Sequence, residues 1–155
     1  MRSANNKKWR GGFTMLEIMI VIAIIGIMLG VAAPNFMDYM KSRRLSGAAM
    51  QMYVDLMNAR QQAVTQNKWV SLRLENSHQY KIFTDSNKNG AIDTGESVID
   101  RDIHPDFADV TFTTSAGTIF AFYPNGTAAS KTLTLSGSTG SKSITISTAG
   151  RVKIN

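Results

Sequence analysis

Six oxygen-bearing positions within twelve residues make up the chain's densest concentration of potential chemistry. Asp85-Ser-Asn87-Lys-Asn89-Gly90-Ala91-Ile-Asp93-Thr-Gly-Glu96 fits D-x-[DN]-x-[DN]-G-x₅-E in full, the spacing of a calcium loop. Asp85, Asn87 and Asn89 would turn side-chain oxygens to one side of a tight curl. Gly90 would permit the sharp turn, Ala91 would offer its carbonyl, Asp93 would act through a water, and Glu96 would close the site with both oxygens. The flanks read as strands where the usual frame has two helices, and Lys88 weakens the negative field. Asn-Gly and Asp-Thr-Gly are also turn formers in their own right, so the bland alternative is a long hairpin turn.

A second candidate closes the chain, in Gly150-Arg151-Val152-Lys153-Ile154. Residues two apart on a strand share a face, so Arg151 and Lys153 could meet successive phosphates of DNA. The bland alternative is an edge strand whose lysine blocks edge-to-edge pairing. Catalytic patterns do not emerge. His78 and His104 stand alone in loop-like surroundings, with neither HExxH nor a GxSxG elbow around them. The chain contains no cysteine, which excludes thiol catalysis and thiolate metal sites and leaves an apolar core as the source of stability. An enzyme is not expected.

The element that must carry all of this lies at the other end. Gly12 to Pro34 reads GFTMLEIMIVIAIIGIMLGVAAP, and between Glu17 and Asp38 there is no charged residue. An uncharged apolar run of this length is a transmembrane-helix candidate, slightly short of the ~20 residues that cross a bilayer core. The leader before it, MRSANNKKWRG, carries Arg2, Lys7, Lys8 and Arg10 and no acid. By the positive-inside rule that leader stays cytoplasmic and the chain beyond the run is exported. An ordinary secretory signal would have a shorter apolar core ending in small residues. Val31-Ala32-Ala33 supplies these, but Pro34 comes at once and Glu17 stands near the front. Glu17 itself either sits at headgroup level or finds a cationic partner in an assembly, since a carboxylate inside a bilayer costs ~2.5–3.5 kcal/mol.

Gly12-Phe13-Thr14-Met15-Leu16-Glu17, placed between a basic leader and an apolar helix, resembles the processing site of the type IV pilin family. That resemblance implies cleavage after Gly12 by a membrane prepilin peptidase and methylation of the new Phe13 amine. It also implies a role for Glu17 in packing against other pilin subunits in a filament. Gly26 and Pro34 match helix-loosening positions of the family's first helix. Many major pilins close a C-terminal loop with a disulfide, and minor pilins and pseudopilins more often lack one, as here.

Composition agrees with an anchored single domain. The 155 residues suffice for one domain plus an anchor. The net charge of +6 suggests a nucleic-acid binder only until the leader is set aside; without its four bases, 13 basic residues face 11 acidic ones, a net of +2. Beyond the apolar run, Met37, Met40, Leu45, Ala48, Met52, Leu56, Ala59 and Ala63 recur at steps of three and four, with Lys41, Arg43, Arg44, Asp55 and Arg60 between them. The spacing predicts an amphipathic helix continuing to Gln66, its Met/Ala stripe against a sheet and Asn67 as terminator.

After Asn67 the period becomes two. Strands are predicted over Trp69–Leu74, Gln79–Phe83, Glu96–Ile99, Val110–Thr113, Thr118–Phe122, Thr132–Leu135, Ser143–Ile146 and Arg151–Ile154, paired antiparallel through hairpins. Pro124-Asn125-Gly126 and Ala149-Gly150 are turns, and Ser136–Lys142 reads as a flexible, solvated loop. Trp69 is expected in the core and Trp9 at an interface. The expected fold is α+β and pilin-like, divided into a cleaved leader (1–12), a transmembrane or filament-core helix (13–34), its amphipathic continuation (35–67) and an antiparallel β-domain (68–155).

The segments Asn58–Gln66, Asp85–Glu96, Phe122–Gly126 and Gly150-Arg151 are similar to the FimT-like branch of that family, which includes the H-type minor pseudopilin of type II secretion. This implies a structural subunit of the bacterial inner membrane, single-pass, with a cytoplasmic N-terminus and a periplasmic C-terminal domain. Such a subunit assembles into or primes a type II secretion pseudopilus or a type IV pilus for protein export. The alternative is a DNA-binding minor pilin for DNA uptake, because the basic tail resembles one found in FimT-like pilins, with Arg151 and Lys153 as its contacts. Prepilin peptidase, other pilin subunits, the membrane and DNA are thus the partners to consider, and Ca²⁺ the one ligand.

Overall fold

The computed structural model describes residues 12–115 and 117–155; the leader ahead of Gly12, with Trp9, lies outside them. A single helix, α1, runs from Met15 to Gln66. Its start is set by Thr14, whose Oγ1 accepts the Glu17 N–H at 3.2 Å. Thr-x-x-Glu is the spacing of a capping box, and an acid in the first turn also suits the positive end of the helix dipole. The helix ends at Asn67, which adopts a left-handed φ of 52°, as asparagine tolerates at a C-terminal cap.

Contacts divide the chain into a unit through Met37 and a unit from Asp38 onward. In the first, every described residue is exposed, among them Phe13, Leu16, Ile20, Ile24, Met28 and Val31. By length and apolar content this stretch of α1 can cross a membrane.

In the second unit α1 packs on eight antiparallel strands: β1 (Trp69–Leu74), β2 (Gln79–Asp85), β3 (Val98–Asp102), β4 (Thr111–Phe112), β5 (Ile119–Phe122), β6 (Lys131–Gly137), β7 (Gly140–Ile146) and β8 (Val152–Ile154). They form two four-stranded sheets, ordered β3-β2-β1-β5 and β4-β6-β7-β8. Their inward rows, including Val70, Leu72, Tyr80, Phe120, Phe122, Leu133, Ile144 and Ile146, close over Leu45, Ala48, Met52, Leu56, Ala59 and Ala63 of the helix. The alanines on this face let the helix backbone approach the sheets closely. The α+β, pilin-like class is thus observed.

Several expectations are corrected. Met37 and Met40 do not belong to the core stripe; they are 59% and 39% exposed, and burial begins only at Leu45. The third strand starts at Val98 instead of Glu96, because the Glu96 N–H is taken by the Asp93 carbonyl at 3.2 Å and the Ser97 N–H by Thr84 Oγ1 at 3.1 Å. Ser136–Lys142 is not a flexible loop. Lys131–Gly137 and Gly140–Ile146 pair in register up to Gly137 opposite Gly140, which leaves a two-residue turn. Trp69 is half-buried at the surface, its ring centroid 4.5 Å from that of Tyr123 and 5.6 Å from Lys88 Nζ.

Candidate functional site

The N-terminal segment offers the residues of the expected processing and assembly site. Gly12 and Phe13 precede α1, both exposed, with Phe13 at 80%. Among the described residues, a Cβ on Gly12 would meet nothing within 4 Å. Glu17 is exposed in the first turn, its backbone held by Thr14. Sequence reasoning missed this cap, although the Thr-x-x-Glu spacing signals it.

The Asp85–Glu96 loop is built from its own side chains. Asp85, 2% exposed, accepts the Asn89 and Gly90 N–H groups at 3.0 and 2.9 Å. Asn89 Oδ1 accepts the Ala91 N–H at 2.7 Å. The Asn87 and Asn89 amides both donate to Asp93 Oδ2 at 2.7 Å, and these bonds hold the Asp93 carboxyl below the usual carboxylate range. Glu96 closes the loop onto the Ser86 and Asp93 N–H groups at 2.8 and 3.1 Å. Lys88 and Gly90 take left-handed φ values of 63° and 72°. Asn87, Asn89 and Asp93 therefore converge, but the two amides point nitrogens inward, and presenting oxygens to a cation requires both to turn over. Among the described residues no three His, Cys, Asp or Glu side chains gather as a metal group.

At the tail, Val152 is buried, 7% exposed, while Arg151 and Lys153 are exposed. Lys153 lies opposite Thr145 on β7, so its side chain stands on the outer face of the β4-β6-β7-β8 sheet, whereas Arg151 precedes β8 and borders a groove with Tyr53, Met57 and Arg60 of α1; the expected shared strand face is not formed. No further base joins Lys153 in that cross-strand row, which continues to Thr132.

Three other arrangements escaped the sequence. His78 and His104, read as isolated, are brought edge to face with ring centroids 4.9 Å apart. Asp55, assigned to the solvent side of the helix, is 7% exposed and accepts the Tyr80 hydroxyl at 2.5 Å, with Arg101 Nε at 3.7 Å. Burial, then the bond to Asp55, pushes the Tyr80 phenol far above its ordinary value. Arg60, also assigned outward, donates from Nε to the Gly126 carbonyl at 2.9 Å. Gly150, at φ 72°, lies against the same carbonyl; a Cβ there would collide with it and sit 2.8 Å from Arg60 Nε. Arg60, Gly126 and Gly150, far apart in sequence, thus form one contact that ties α1 to two turns. No local signal in the sequence links them.

Comparison with known proteins places this geometry. The Prokaryotic N-terminal methylation motif matches residues 10–33. Pilin-like protein PilA1 of Thermus thermophilus is 34% identical over 89 residues, 56% of each chain. A fimbrial protein of Pseudomonas aeruginosa is 37% identical over 81 residues, 51% of this chain and 52% of its own. The chain thus spans about half the length of the curated relatives it matches. Among solved structures, the type IV minor pilin FimU of Pseudomonas aeruginosa superposes with a TM-score of 0.58 at 21% identity, over 76% of this chain and 92% of that one. The minor pseudopilin EpsH from the Type 2 Secretion System of Vibrio cholerae gives 0.54 at 10% identity, over 72% and 96%. These two likenesses show the pilin-like fold. The family described as Type II transport protein GspH matches residues 48–150, the end of the helix and seven of the eight strands, and the chain belongs to that family of pilin and pseudopilin subunits.

Proposed function

We propose that this subunit is cut after Gly12 by a prepilin peptidase, methylated on the new Phe13 amine, and drawn from the bacterial inner membrane into a pseudopilus or pilus that serves protein export. Its N-terminus faces the cytoplasm before cleavage and its β-domain the periplasm. The observation that carries the proposal is the segment from Phe13 to Met37. It contains one acid and no base, all of it is exposed, and the methylation motif falls on it. A bare apolar helix of this length needs either lipid or the helices of neighbouring subunits around it. In lipid Glu17 is costly; in a filament it pairs with the Phe13 amine of a neighbour.

Mass spectrometry of the protein extracted from membranes tests this. The expected N-terminus is methylated Phe13, and replacement of Gly12 by a bulky residue leaves the precursor uncut. A mature chain starting at Met1, or near Ala33, refutes it.

A further inference from the structure

The chain contains two histidines and no cysteine, so one pair of imidazoles is its entire supply of the side chains that soft and borderline metals prefer. The fold brings both to one place. β2 and β3 pair with Gln79 opposite Asp102, and one step beyond, the His78 carbonyl accepts the N–H of the buried Ile103 at 3.1 Å. His104 follows directly. Asn76 Oδ1 accepts the His78 N–H at 2.8 Å, and Asp102 Oδ1 accepts the His104 N–H at 2.8 Å. Both histidine backbones are therefore fixed by bonds that do not involve their rings.

The rings themselves lie with centroids 4.9 Å apart and planes at 82°. A metal ~2.0–2.1 Å from one nitrogen of each of two imidazoles, at a square or tetrahedral angle, holds the ring centroids about 4.5–5.2 Å apart. The observed spacing is thus that of a pair sharing one cation. Turning one ring about χ2, a broad torsion in histidine, lets one nitrogen of each aim at the same point. Ser77 Oγ lies 2.9 Å from His78 Nδ1. That leaves Nε2 as the ligand atom and gives the other nitrogen the kind of oxygen partner that metal-bound histidines take.

Local charge suits a cation. The Asp102 carboxyl, bonded to Gln79 Nε2 and the His104 N–H and held below the usual carboxylate range, lies within electrostatic reach of both rings. Asp106 stands exposed in the turn that carries His104. The bases of the same edge are engaged elsewhere, Arg101 with Asp55 and Lys81 with Asp100. We propose that His78 and His104 form a two-imidazole site for a divalent transition-metal ion of the zinc or copper kind. Among the described residues no third His, Cys, Asp or Glu side chain completes the pair as a metal group, so a bound ion keeps positions for water or an incoming ligand. Binding ties the turn before β2 to the turn after β3. The site is separate from the Asp85–Glu96 loop, whose oxygen donors suit calcium.

Zinc chloride titrated calorimetrically into the full chain, purified in detergent without a polyhistidine tag and stripped with chelator, tests this. Expected are one Zn²⁺ per chain and a melting temperature that rises with zinc. His78→Ala and His104→Ala should each weaken binding by more than about tenfold, because even the loss of an outer-shell partner costs ~10–100-fold. With chelator present, His104→Ala, at an exposed position, should melt where the wild type does, which separates lost binding from lost folding. Cu²⁺ added to the wild type should give an electron paramagnetic resonance spectrum with two imidazole nitrogens on one copper, and either variant a spectrum with one. Zinc binding that survives in the double alanine variant, a stoichiometry of one ion per two chains, or single-nitrogen copper in the wild type overturns the proposal. A flat zinc titration does so as well.

Discussion

Replacing Gly150 by alanine should destabilise the β-domain out of proportion to one methyl group. Gly150 has φ 72°, and a left-handed conformation costs an L-residue about 1–2 kcal/mol. The added Cβ would overlap the Gly126 carbonyl and crowd Arg60 Nε at 2.8 Å. Relief requires the Gly126 turn to shift, which breaks the 2.9 Å bond from Arg60. A hydrogen bond to a charged group contributes about 1.5–3 kcal/mol. The two effects together approach ~3–5 kcal/mol, a large share of the ~5–15 kcal/mol that stabilises a domain. Gly117 provides the control. It has φ 79°, and a Cβ added there would meet nothing within 4 Å, so Gly117→Ala should carry the backbone cost of ~1–2 kcal/mol alone. Urea unfolding monitored by circular dichroism measures both. The difference between the two variants is the ~1.5–3 kcal/mol of the lost bond, so at a slope of ~1–3 kcal/mol per molar urea the Gly150 midpoint should fall about 0.5–3 M below that of the Gly117 variant. Arg60→Ala should be strongly non-additive with Gly150→Ala, because both remove the same contact. Equal costs at Gly150 and Gly117 would refute the idea that the three residues act as one clamp.

Glu17→Ala should leave membrane insertion and cleavage intact while impairing incorporation into filaments, read by crosslinking to the adjacent subunit; normal incorporation would return Glu17 to the headgroup level. Tyr80 has its folded pKa raised, so its contribution to stability is present below the unfolded value of about 10 and is lost as pH rises above it. Tyr80→Phe should therefore flatten the alkaline limb of a melting-temperature profile and cost about 1–3 kcal/mol at neutral pH by leaving Asp55 without its donor. Asp102, with its pKa lowered, contributes above about pH 4 and loses that contribution on acidification, so Asp102→Asn should reduce the acid dependence. If the Asn87 and Asn89 amides turn over to take calcium, the melting temperature rises with calcium and falls with chelator, and Asp93→Ala abolishes the response; a flat titration makes the loop a self-closed hairpin.

How much of the molecule was legible beforehand depended on whether the cause was local. The apolar run, the leader charges and the Gly12–Glu17 spacing lie within a few dozen consecutive residues, so the membrane-length helix and its expected processing site could be read directly. Period-two alternation likewise located all eight strands, since burying one face of a strand leaves that imprint on every second residue. Strand ends were less secure. Gly137 and Gly140 extend a hairpin where Gly and Ser content suggested a loop, because pairing across the sheet outweighed local flexibility.

The pairings between distant residues required the folded chain. Asp55 and Arg60 carry no mark that distinguishes them from Lys41 or Arg44 on a helix surface. They turn inward because Tyr80, Arg101 and Gly126 arrive there from other elements. His78 and His104 meet because the turn before β2 and the turn after β3 share one end of a sheet. Whether Asn87 and Asn89 present oxygen or nitrogen is likewise decided by where Asp93 lies after the loop closes. The sequence alone determined the elements, since periodicity and capping act over neighbouring residues. Which charges are buried, which are bare and which edge each one faces was decided by tertiary packing, because those partners are brought together only when the sheets close on the helix.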